Sequence, residues 1–135
     1  MQPEPNAPTR GTILVLDNPD NLLPRVQPLL ESDGYRVVIP NAPFSTLMCA
    51  LQERPQVVLL LTTALQTEWF LEVIYQLRTT KDTAAVPIVL VTRYAHEPDF
   101  VELVHAWGVT EVIASPFEPQ TLRAVIAAQL TPHQD

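Results

Sequence analysis

Asp17, Thr92 and Ser115 each close or follow a short apolar run, and each offers an oxygen that chemistry could use. A carboxylate so placed can act as a general base or hold a hard cation, and a hydroxyl can contact a bound oxyanion. Catalysis asks for more. A nucleophile, a base and a group orienting that base must converge, and no such set can be assembled around Asp17. Its plainer role is that of a turn residue whose carboxylate bonds nearby backbone amides. Thr92 likewise reads as a strand-end hydroxyl with a backbone partner. His96, His105 and His133 have no metal-like spacing with one another or with Cys49, so no metal site is expected. The single cysteine excludes an internal disulfide, fits a reducing cytoplasm and reads as a small buried residue on a helix face. Gly11, Gly34 and Gly108 are too scattered to build the Gly-rich turn that brings backbone amides up to a phosphate. Dinucleotide and P-loop chemistry are excluded, and no cofactor is expected.

The bulk properties narrow the classes further. A chain of 135 residues without repeats is one domain, able to bury about two-thirds of its unfolded surface. Eight Lys plus Arg against fifteen Asp plus Glu, a net charge of −7 with no basic cluster, argue against nucleic acid and anionic membrane as partners. No apolar run approaches the roughly 20 residues of a membrane span. Residues 1–11, rich in proline and polar, are expected to be a disordered or extended lead-in, and MQPEPNAPTR lacks the apolar centre of a signal peptide. A single domain is expected over 12–131, with 132–135 as a tail.

Five runs have to position the oxygens: Thr12–Leu16, Arg36–Ile39, Val57–Leu61, Pro87–Thr92 and Glu111–Ala114. Three are continuously apolar and rich in β-branched residues, the mark of parallel strands covered on both faces. The second and fifth are shorter and flanked by charge, as sheet edges are. Between them lie helical segments at Asn21–Ser32, Pro43–Glu53, Thr67–Thr79, Pro98–Trp107 and Pro119–Leu130. In the first, Leu22, Val26, Leu29 and Leu30 share a stripe, Asp20 is the candidate N-cap, and Pro28 predicts a late start or a bend. Gly34 and Gly108 follow the first and fourth helices, where glycine relieves left-handed strain. Strict alternation of strand and helix predicts a doubly wound, flavodoxin-like α/β sheet of order 2-1-3-4-5. Any site then lies at the carboxyl ends of the strands, among Asp17, Asn18, Leu61, Thr62, Thr63, Thr92 and Ser115.

The order of short motifs resembles the receiver domain of two-component response regulators, the CheY-like family, over about Thr12 to Leu130. The motifs are Ile13–Asp20 (ILVLDNPD), Asp33–Tyr35 (DGY), Pro55–Leu61 (PQVVLLL), Val86–Thr92 (VPIVLVT) and Ser115–Phe117 (SPF). The resemblance implies a phosphorylation site built from paired acids that hold Mg²⁺, an acceptor aspartate, a hydroxyl and a lysine. Carried over by position, Asp17 keeps the first acid and Thr92 keeps the hydroxyl. Asn18 replaces the second acid, Leu61 the acceptor and Ser115 the lysine, while Val112 stands at the position of the switch aromatic. The loop Thr62–Trp69 lacks the usual proline and glycine, and the stretch from Thr92 to Ser115 is one residue longer than is typical.

These departures agree physically. Mg²⁺ is held by carboxylate charge, water and phosphate oxygen, and of three carboxylates only one is left. The cation that would balance clustered negative charge has gone with them. The set Asp17, Asn18, Leu61, Thr92 and Ser115 is therefore expected to be a vestigial phosphorylation site in a pseudo-receiver. This implies a non-enzymatic, phosphorylation-independent protein-interaction module of phosphorelay signalling in the cytoplasm, bound to a signalling protein or to its own output domain. The aromatics Trp69, Phe70, Tyr75, Phe100 and Trp107 are expected to be mostly core or half-core, with Trp69 and Trp107 able to anchor a partner. A homodimer could form through the fourth helix, fifth strand and fifth helix, with Trp107, Leu122, Val125 and Ile126 as candidate interface residues. The competing view of the fifth helix is that it packs on the sheet and shows only Arg123 and Gln129. An alternative function is a small-ligand sensor using the cleft at the carboxyl ends of strands one and three; a cleft filled by Leu61 would eliminate it.

Overall fold

The computed structural model describes residues 10–17, 22–42, 45–61 and 68–130. The strands are β1 (Gly11–Asp17), β2 (Tyr35–Val38), β3 (Val57–Leu61), β4 (Ile88–Thr92) and β5 (Glu111–Ala114). The helices are α1 (Leu23–Ser32), α2 (Thr46–Glu53), α3 (Glu68–Thr79), α4 (Pro98–Trp107) and α5 (Pro119–Leu130). All strand pairs are parallel, in the order β2-β1-β3-β4-β5. The short, charged runs are the two edges, as their composition predicts. Gly11 already belongs to β1, so the sheet begins inside the expected lead-in; residues 1–9 and 131–135, with His133, lie outside the described residues.

Period-two alternation along the central strands sorts the core into two layers. Ile13, Val15, Leu59, Leu61, Val89 and Val91 face Val26 and Leu30 of α1 and Leu122 and Ile126 of α5. Leu14, Leu16, Val58, Leu60, Ile88 and Leu90 face Ala50 of α2, Ile74 and Leu77 of α3 and Val104 of α4. Every residue of β3 and β4 is buried. That is why both runs are apolar at each position and not at alternate ones.

Helix α1 starts at Leu23, with Leu22 as N-cap and Pro24 in its first turn; Pro24 and Pro28 both face solvent. A proline early in a helix forfeits an amide that has no partner anyway, whereas Pro28 deletes an interior bond and is tolerated on the outer face. Asp20 lies outside the described residues, and the cap residue that is seen makes no side-chain bond. Helix α2 ends on Arg54, at φ 50° in the left-handed region without glycine's freedom.

Gly108 closes α4 at φ +117°. The Arg78 guanidinium is packed against it. Its Nε and Nη2 donate to the Gly108 carbonyl at 3.1 and 2.7 Å, and Nη1 donates to the Ala84 and Val86 carbonyls at 3.1 and 2.7 Å. One half-buried cation thus satisfies three backbone carbonyls and ties α3 to the turns that enter β4 and β5. Burial holds the Arg78 guanidinium below its usual pKa, and charged donors to neutral carbonyls are among the stronger hydrogen bonds.

A Cβ on Gly108 would meet Arg78 Nε at 2.8 Å. Gly108→Ala is expected to lower unfolding free energy by about 2 kcal/mol or more, from left-handed strain plus the displaced guanidinium. Arg78→Lys is expected to cost about 1–3 kcal/mol, because one ammonium cannot reach three carbonyls. Urea midpoints of the two variants check this.

Candidate functional site

The carboxyl edge of the sheet brings together the residues that the sequence marks. Asp17 ends β1 and is the register partner of Leu61, which ends β3; Leu61 pairs in turn with Val91, and Thr92 with Ala114, just before Ser115. No slip is present. The side chain aimed from the end of β3 on the side of α1 and α5 is a hydrocarbon, 0 % exposed and packed in that layer's core. Asn18, Thr62 and Thr63 lie outside the described residues.

Asp17 has a structural task. Its Oδ2 accepts a hydrogen bond from the backbone amide of Leu23 at 3.2 Å, and so satisfies one of the orphan donors at the start of α1. Negative charge there also suits the positive end of the helix. The capping oxygen comes from six residues back, out of the preceding strand, where no local cap motif would reveal it.

Thr92 is fully buried, and its hydroxyl accepts a bond from the Tyr94 amide at 3.2 Å, while its carbonyl accepts from the Ser115 amide at 3.0 Å. By alternation its side chain leaves the opposite face of the sheet from Leu61. Ser115 is half-buried and precedes a cis peptide bond to Pro116. Val112 is half-buried against the layer formed with α2, α3 and α4. The edge therefore gathers one carboxylate engaged with a helix start, one buried hydroxyl engaged with a turn, one serine and a leucine. It holds no convergent acid, base and nucleophile among the described residues.

The remaining candidates divide. His96 and His105 are exposed, and His105 Nδ1 lies 2.8 Å from the Val109 carbonyl, to which its N–H form donates. Among the described residues, no group of three His, Cys, Asp or Glu side chains could hold a metal ion. Cys49 is half-buried rather than core, and its thiol is pushed up mainly by burial, then by Glu53, against a smaller opposing effect of Arg36. A raised thiol is a poor nucleophile at neutral pH.

The expected interface needs correction. Leu122 and Ile126 are both 0 % exposed in the core beneath α5, so neither can meet a partner while the domain is folded. Val125 is half-buried against the same core, and α5 turns Thr121, Ala124 and Ala128 to solvent. Arg123 is half-buried, its Nε 3.2 Å from the Asp33 carboxylate. Trp107 and Phe100 are half-buried on the other layer. Tyr75, expected to be core or half-core, is 65 % exposed, and Leu103 is 46 % exposed. The side chains of Trp69 and Phe70 lie outside the described ones. Leu103 has no signal in the sequence that separates it from its buried neighbour Val104; only the rotation of α4 on the sheet does so.

Comparison with models of known protein families finds no match, and comparison with curated proteins finds none either. Solved structures are similar. The chemotaxis response regulator CheY4 of Vibrio cholerae superposes with a TM-score of 0.76 at 21 % identity, over 87 % of this chain and 97 % of that one. A response regulator protein from Burkholderia multivorans gives 0.71 at 23 %, over 92 % and 98 %. The receiver domain of a sensor histidine kinase from Pseudomonas aeruginosa, with a magnesium ion coordinated in its active-site cleft, gives 0.73 at 23 %, over 89 % and 97 %. The fold is thus the CheY-like flavodoxin fold of response-regulator receiver domains.

Two substitutions test the geometry. Asp17→Ala is expected to cost about 1 kcal/mol through the lost bond at the start of α1, with no dependence on Mg²⁺. Leu61→Asp is expected to cost more than about 3 kcal/mol, because it buries a carboxylate in hydrocarbon with no cation beside it. Chemical denaturation with and without Mg²⁺ reads both. For Cys49, alkylation is expected to be slower than for a free thiol at neutral pH and to accelerate only at a pH above the ordinary thiol range.

Proposed function

We propose that this chain is a degenerate receiver domain of two-component signalling, acting as a phosphorylation-independent protein-interaction module and not as an enzyme. Leu61 carries the reading. A receiver that transfers phosphate needs an acid at the end of β3, and here that position holds a fully buried leucine in register with Asp17. The neighbouring changes point the same way: Asn18 follows Asp17, Ser115 stands where the resemblance calls for lysine, and Val112 stands where it calls for an aromatic.

Magnesium does not fit the donors at this edge. A hard divalent cation asks for several oxygens, with carboxylates carrying most of the charge. The described residues supply the Asp17 carboxylate, already engaged with the α1 amide, beside a hydrocarbon. The ion in the Pseudomonas domain therefore carries no step over to this chain.

The partner is a protein, either another signalling protein or an output domain joined to this one, and the working compartment is the cytoplasm. Among the described residues no helix is long and apolar enough to cross a membrane. The acidic balance, −7 overall, is against nucleic acid as the partner. A ligand sensor at the same edge would need open space beside Leu61, and that side chain is fully covered.

Incubation with a small-molecule phosphodonor and Mg²⁺, followed by intact-mass analysis, is expected to leave the mass unchanged. An acid-labile adduct of one phosphoryl group would overturn the reading.

A further inference from the structure

We draw no further inference here: the strongest candidate, the depression between α3 and α4 lined by Leu71, Glu72, Ile74, Tyr75, Arg78 and Trp107, is a largely apolar face whose one acid and one arginine select no ligand, and nothing in the structure shows what covers it.

Discussion

The burial of β3 from end to end is the constraint on which the rest of this molecule depends. Val57, Leu59 and Leu61 fill the layer against α1 and α5, and Val58 and Leu60 fill the layer against α2, α3 and α4. Each buried leucine is worth about 1.5–3 kcal/mol over an exposed one, so the strand is a large share of what holds two helical layers to one sheet. Extending that apolar pattern through the last position has a consequence for function. A charge there would lose solvation with nothing to replace it, and a hydrocarbon side chain offers no oxygen on which a phosphoryl group could be carried.

The neighbours of Leu61 follow from that choice. With no second anion at the end of β3, Asp17 is not forced into a cluster of like charges that a metal or lysine must neutralise. Its Oδ2 is given to the Leu23 amide and secures the start of α1. The Thr92 hydroxyl serves the Tyr94 amide in the same way. Residues whose types suggest a phosphoryl site are thus bonded into the fold, while the exposed large hydrophobics Tyr75 and Leu103 lie elsewhere, on α3 and α4.

Much of the architecture was legible in the residues. The continuous apolar runs at β1, β3 and β4 follow from cover on both faces, and Pro98, Pro119 and Gly108 mark helix boundaries through their fixed or permissive φ. The carboxyl-edge set was legible too, since topology alone brings Asp17, Leu61, Thr92 and Ser115 to one end of the sheet. What escaped depends on rotation and on distant partners. Helix α5 is apolar around more than one stripe, and only its seating shows that Leu122 and Ile126 point inward while Ala124 and Ala128 point out. Tyr75 sits in a helix of apolar period yet faces solvent. Arg54 ends α2 in a left-handed conformation that no glycine announces, and the Asp17 cap reaches across six residues.

The most direct measurement is an amide-resolved NMR titration of the full chain with Mg²⁺, read at Asp17, Leu61 and Thr92. A carboxyl edge closed by hydrocarbon predicts no saturable shift at these amides, only the weak linear drift of ionic strength. Saturable shifts converging on Asp17 and Leu61 would show a working cation site at the end of β3 and contradict the account.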